Sequence, residues 1–244
     1  MTTGEKLYEG KAKIVYATDD PNVLLTYFKD DATAFNAQKR GQIQDKGRIN
    51  CTISTHLFRL LEAQGIATHW IDTPSERDMR VKALTIIPLE VVVRNRAAGS
   101  LCRETGLPLG LELEPPLVEF YYKKDELGDP LLTPDRLRLL DVASQEQTVT
   151  LRRQALSINR ILTDFFAECD ITLVDFKLEF GLDAHGQMLL GDEISPDTCR
   201  LWDRSDDDEA QRVMDKDRFR QDLGQVESAY RRVLDRVAAQ SSKK

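Results

Sequence analysis

A mixed α/β fold of the α+β kind is predicted by three features of this 244-residue sequence. Residues 173–181 alternate between apolar and charged side chains, as a strand with two different faces does. Extended, β-branched runs occupy residues 13–17, 23–28 and 86–96. Residues 49–63, 144–169 and 218–239 instead carry apolar side chains at helical spacing. A hydrophobic share of 41% is enough for these elements to enclose a core in a chain of this length.

The first strands are expected at residues 13–17 and 23–28, joined by the turn Asp19-Asp20-Pro21-Asn22. Gly10 precedes Lys11, Ala12 and Lys13. Extended backbone there puts both lysines on one side, and the glycine lets the chain approach a phosphate closely. The glycine-rich loop and helix of a Walker motif are absent. Residues 30–47 are polar and aperiodic, with Gly41 and Gly47, and predict a long loop able to close over a site. Ile53, Leu57, Leu60 and Leu61 then mark the core face of a helix that stops at Gly65.

Residues 86–100 predict a buried strand through Val91, Val92 and Val93 that runs into Ala97-Ala98-Gly99-Ser100. Glu90, Arg94 and Arg96 share one parity. The strand end presents a guanidinium beside backbone N–H groups and a hydroxyl, a combination suited to phosphate. Residues 107–134, rich in Pro and Gly, are expected to wrap the surface, with a short strand at Phe120 to Lys123. Ser144 and Gln147 have capping-box spacing and open a helix to about Cys169, with Leu151, Leu156, Ile161, Leu162 and Phe165 in its apolar stripe. After a solvated acidic run, Asp206 to Glu209, one long amphipathic helix is expected over residues 218–239.

The strand at 173–181 carries the densest chemistry. Asp175, Lys177 and Glu179 share one face, and Val174, Phe176, Leu178 and Phe180 the other. A cation between two carboxylates on a strand ending in Gly181 is the layout of a metal and phosphate site. The turn Asp183-Ala184-His185-Gly186 returns the chain through Met188-Leu189-Leu190 to Gly191-Asp192-Glu193. With an even number of turn residues, odd positions face even ones, and Asp192 joins the face of Lys177 and Glu179. Glu179 and Asp192 then share one Mg²⁺, which needs only one or two carboxylates besides substrate phosphate oxygens. A surface hairpin with a cross-strand ion pair is the plainer alternative.

A net charge of −7 opposes nucleic-acid binding, which needs a broad basic surface. Positive charge is concentrated at Lys11 and Lys13, Arg94 and Arg96, Lys123 and Lys124, and Lys216, Arg218 and Arg220, which favours small anionic substrates. No window reaches the roughly 20 apolar residues of a membrane span, and the first residues lack a signal-peptide core, so no membrane association and a cytoplasmic location are expected. Cys51, Cys102, Cys169 and Cys199 lie far apart and are expected to be reduced thiols. His56, His69 and His185 lack metal-ligand spacing and are assigned no chemistry.

Four segments, Leu7 to Lys13, Pro88 to Ser100, Leu173 to Gly181 and Gly191 to Arg200, together resemble the SAICAR synthetase family, and the likeness runs nearly end to end. The resemblance implies a two-lobed, ATP-grasp-like fold. A small N-terminal antiparallel lobe (residues 1–83) and a larger lobe (residues 84–244) would grip ATP between them. It implies an ATP-dependent ligase of purine biosynthesis that joins the carboxylate of carboxyaminoimidazole ribonucleotide (CAIR) to the amine of L-aspartate, working as a cytoplasmic homodimer. By the same resemblance Lys11, Ala12, Lys13, Val15, Val81 and Lys82 bind ATP, and Glu179 and Asp192 ligate Mg²⁺. Lys177 stabilises the transferring phosphoryl group. Glu90 and Asp175 hold a second metal or the substrate carboxylate, Asp175 with a catalytic role, and Arg94, Ser100, Asp197 and Arg200 hold the ribonucleotide. The turn at 183–187 is about a residue longer than is usual in the family, and the variable loop from Thr33 to Lys39 is the candidate for aspartate capture.

Two other functions use parts of the same inventory. A small-molecule kinase would form ADP without aspartate. A nucleotide sensor would bind ATP without turnover, but binding alone does not require so concentrated a charge cluster.

Overall fold

The computed structural model describes residues 4–34 and 38–243. The chain begins with β1 (Lys6–Glu9), β2 (Lys13–Ala17), β3 (Val23–Phe28), β4 (Asp31–Ala34) and β5 (Lys39–Gln42). It continues through α1 (Lys46–Ala63), β6 (Trp70–Asp72), β7 (Asp78–Lys82), β8 (Thr85–Arg96), α2 (Ser100–Thr105) and β9 (Glu112–Tyr122). After a 3₁₀ turn at Asp125–Leu127 come α3 (Pro134–Leu140), α4 (Gln145–Glu168), β10 (Ile171–Leu182), β11 (Met188–Leu190), β12 (Cys199–Asp203), α5 (Asp217–Arg220) and α6 (Val226–Ser241).

One antiparallel sheet has the order β1-β2-β3-β7-β6, a second β11-β10-β8-β9 with β12 also on β10, and β4 and β5 pair as a third. β2 and β3 have the predicted bounds, and their turn is tied by Thr18 Oγ1 to the Val23 carbonyl (2.8 Å) and by the Asp20 carboxylate to the Asn22 N–H (2.8 Å). Helix α4 packs on β10 and β8, while α1 lies against α6 and β3, so one apolar core runs from Phe28 through Val91 and Phe176 to Val237. The capping box is present: Ser144 Oγ accepts from Gln147 N–H (3.1 Å) and Gln147 Oε1 from Ser144 N–H (2.8 Å). Ser144→Ala is expected to cost about 1 kcal/mol, read as a lower urea midpoint at unchanged m-value.

Several sequence expectations are corrected. Residues 30–47 hold the hairpin β4–β5, paired from Asp31↔Gln42 to Ala34↔Lys39, and the first turn of α1, not a long loop. Residues 35–37, inside the loop expected at 33–39, lie outside the described residues. Asp30 anchors the segment, accepting from Gly47 N–H (2.8 Å) and Arg77 Nη1 (2.7 Å). Gly47 sits within α1 because a Cβ there would overlap the Phe28 carbonyl. Residues 112–122 form a full strand with Val118 and Phe120 buried, and its edge position is what tolerates Pro115 and Pro116. The last helix starts only at Val226, because Gly224 (φ +68°) and its neighbours break the chain and buried Arg218 ties that break by donating to the Gly224 and Leu223 carbonyls. Alternation along β10 is interrupted too. Leu173 pairs with Leu201 and Asp175 with Arg200, so Val174 is bulged and packs with Ala98, Trp202 and Val213 instead of with Phe176.

Candidate active site

Register assembles the charged face. β10 pairs with β8 as Asp175↔Arg94, Lys177↔Val92 and Glu179↔Glu90, so these side chains stand together on the face away from the main core. Lys177 Nζ lies 2.9 Å from Glu90 Oε1, 2.6 Å from Glu179 Oε1 and 3.6 Å from Asp192 Oδ2. Lys123 pairs with the other Glu179 oxygen, and Lys13 pairs with Asp192 and, at 3.0 Å, with Glu193.

Asp192 reaches this cluster by a different route from the one expected. β11 pairs as Phe180↔Leu190 and Leu182↔Met188, positions of like parity, because the turn 183–187 has an odd number of residues. Continued as a strand, that register would turn Asp192 to the core with Leu178. The strand stops at Leu190, and a left-handed Asp192 (φ +58°) redirects the side chain to the lysines. Burial opposes ionisation of Asp192, but Lys13, Lys177 and Lys123 outweigh it and hold the carboxyl well below its usual range. Burial likewise works against charged Lys13 and Lys177, and their carboxylate neighbours overcome it and raise both. These three groups are fixed charges near neutral pH, suited to electrostatic work and not to proton exchange.

Among the described residues, no three His, Cys, Asp or Glu side chains converge as a closed metal cage. The Glu179 and Asp192 oxygens are hard donors, held among the described residues by ammonium groups. That donor set fits a Mg²⁺ completed by water and substrate phosphate oxygens.

Two adjoining cavities share Lys11, Glu90, Lys177 and Asp197 on their walls. One, of about 550 Å³, lies between the sheets and is lined by Ala12, Lys13, Val15, Leu24, Val81 and Lys82 along with Glu179 and Asp192. His69, assigned no chemistry from sequence, also lines it, and burial with Lys13 nearby pushes its imidazole down to about 3, so it is neutral. The other, of about 360 Å³, is bordered by a chain of alternating charges. Glu119 accepts from Arg94 Nε (2.7 Å), and Asp175 Oδ2 accepts from Arg94 Nη1 and Arg200 Nη1 (2.8 Å each). Asp217 in turn accepts from Arg200 Nε (2.7 Å) and Arg220 Nη1 (2.5 Å). Arg94, 3% exposed, also donates to Ser100 Oγ (3.0 Å), Tyr121 OH (3.1 Å) and the Ala98 carbonyl (3.4 Å), so all its N–H groups are engaged. Gly99 (φ +58°) admits the Arg200 guanidinium where a Cβ would overlap it.

Of the residues singled out in the sequence, Lys11 and Lys13 line the same cavity, but not by strand alternation. Gly10 N–H bonds the Lys13 carbonyl (2.8 Å) in a bend, leaving Lys11 exposed beside Asp125 (3.0 Å). Arg96 turns away to the Gly110 carbonyl and Glu112 after a register shift between Arg94 and Arg96. Sequence reasoning missed Lys46, Glu193 and Tyr230, and it noted Lys123, Lys216 and Arg220 only as local charge. Asp197 Oδ2 accepts from Lys46 Nζ (2.7 Å) and Oδ1 from Tyr230 OH (2.7 Å), with Lys216 Nζ at 3.8 Å.

Fold and site together have the make-up of a phosphoryl-transfer enzyme, with fixed lysine cations set beside hard carboxylate oxygens. Residues 6–237 match the family model of SAICAR synthetase. The phosphoribosylaminoimidazole-succinocarboxamide synthase of Acaryochloris marina is 66% identical over 98% of each chain. The crystal structure of the synthase from Ehrlichia chaffeensis superposes with a TM-score of 0.92 at 43% identity, over 96% of this chain and 99% of that one. A SAICAR synthetase solved in complex with ADP gives 0.90 at 45% identity, over 95% and 97%. The chain belongs to the SAICAR synthetase family and is an ATP-dependent ligase of purine biosynthesis, with the fold that the sequence resemblance implied. Among the described residues no helix is long and apolar enough to cross a membrane.

Proposed function

We propose that this ligase joins the CAIR carboxylate to the amine of L-aspartate through an acyl phosphate. A carboxylate is a poor acceptor because its leaving group would be oxide. In the first step a CAIR carboxylate oxygen attacks the γ-phosphorus and ADP leaves. In the second the aspartate amine attacks the acyl carbon, loses a proton, and phosphate leaves with one former carboxylate oxygen. The observation that carries this reading is the pair of adjoining cavities with Lys177 and Glu90 on their shared wall, which brings a nucleotide phosphate and a second anion to one fixed cation.

ATP lies between residues 1–83 and 84–244, against Ala12, Val15 and Val81, with Lys11, Lys13 and Lys82 meeting its phosphates. Glu179 and Asp192 hold Mg²⁺, which when bound neutralises charge on the phosphate oxygens. Lys177 sits where the transferring group gains charge. CAIR occupies the other cavity, with Glu90 toward its carboxylate, Ser100 and Arg200 toward its phosphate, Arg94 holding Ser100 in place there, and Asp197 toward its ribose hydroxyls. Asp175, whose Oδ2 already accepts from Arg94 and Arg200, orients those guanidiniums toward the substrate. By the family resemblance the enzyme works as a homodimer in the cytoplasm.

Isotope transfer tests the chemistry. CAIR labelled with ¹⁸O in its carboxylate is expected to yield labelled inorganic phosphate during turnover with ATP and aspartate, read by mass spectrometry. Unlabelled phosphate under full turnover would rule the acyl phosphate out.

A further inference from the structure

We infer that Lys46 and Tyr230 are positioning residues for the ribonucleotide site, acting through Asp197; the inference rests on the reading that Asp197 contacts that substrate. The contacts are specific. Lys46 is the first residue of α1 and 1% exposed, Tyr230 lies in α6 and is 0% exposed, and they hold different oxygens of the same carboxylate at 2.7 Å each. Two donors on two oxygens fix the carboxylate plane as well as its place. Each oxygen keeps a further lone pair for a hydroxyl in the cavity.

The Ser195 hydroxyl holds the rest of the turn. Asp197 N–H donates to Ser195 Oγ (3.1 Å), whose hydroxyl donates to Glu193 (2.5 Å), and Glu193 is the second partner of Lys13. The Asp197 side chain is therefore the part of the turn left for Lys46 and Tyr230 to orient. Nearby Lys216 and Lys46 also overcome the burial that opposes ionisation and keep Asp197 an anion, while burial, with Asp197 opposite, raises the Tyr230 phenol so that it stays a donor. A buried lysine set against a single carboxylate gains little stability over apolar packing, so orientation of the carboxylate accounts for the pair better than stability does.

The test compares Tyr230→Phe, Lys46→Met, Asp197→Asn and the double variant Tyr230→Phe/Asp197→Asn, each with KM for CAIR and for ATP, kcat and a thermal melt. Tyr230→Phe removes one oxygen and keeps the ring in place. It is expected to raise the CAIR KM about tenfold and move the ATP KM less than about twofold, the scale of losing a partner that orients a binding group. Asp197→Asn is expected to raise the CAIR KM at least as much, and adding Tyr230→Phe to it should change little further, because both act through one carboxylate. If Asp197→Asn raises the CAIR KM and Tyr230→Phe leaves it unchanged, or raises both KM values equally, the positioning role is overturned. If Asp197→Asn leaves the CAIR KM unchanged, the placement of the ribonucleotide fails first, and the inference with it. Should Lys46→Met not fold, the Tyr230→Phe comparison decides alone.

Discussion

Asp192→Asn is expected to lower kcat by about a hundredfold or more, the scale of removing one preorganised charge from a reacting centre. It removes a hard anionic donor and an ammonium partner together, because Asp192 faces Lys13 on one oxygen and Lys177 on the other. Folding should survive, since Lys13 keeps Glu193 at 3.0 Å and Lys177 keeps Glu179 at 2.6 Å. The loss should be accompanied by weaker Mg²⁺ dependence of nucleotide affinity, measured by titrating Mg²⁺ against ADP binding. Wild-type turnover and unchanged Mg·ATP affinity, in this variant and in Glu179→Gln, would sink the metal assignment.

Arg94→Lys is expected to be nearly as damaging although it keeps the charge. The guanidinium, 3% exposed, meets Glu119, Asp175, Ser100 and Tyr121 at once, and a point-like ammonium with three donors cannot satisfy that set. Leaving a buried acceptor of this set unpaired costs about 1–3 kcal/mol. Urea unfolding reads that loss, and the surviving folded enzyme should show a raised CAIR KM at near-normal ATP KM. If ATP affinity falls while CAIR affinity holds, Arg94 has been assigned to the wrong ligand.

Both predictions draw on residues the sequence marked, and neither partner set was legible there. Lys177 and Glu179 stand out because charge within an apolar strand is costly unless used, and β10 and β8 then bring Glu90 and Arg94 beside them by simple alternation. β2, β3 and the capping box at Ser144 were equally legible, since each rests on neighbours a few residues apart. Prolines hid β9, whose edge position excuses them, and polar residues hid the hairpin β4–β5, where only Ala32 and Ala34 face inward.

By itself, the sequence determined the mixed α/β class, the charged face of β10, the family resemblance and many of the residues that line the two cavities. Tertiary structure alone decided how Asp192 reaches the lysines, because one residue in the 183–187 turn changes the face of everything after it and a left-handed backbone then restores it. It alone bent the chain at Lys11 and brought Lys46 and Tyr230, 151 and 33 residues away in sequence, onto Asp197. A buried lysine or tyrosine leaves no periodic mark in its own segment. Its partner is chosen by packing of α1 against α6, which no local pattern encodes.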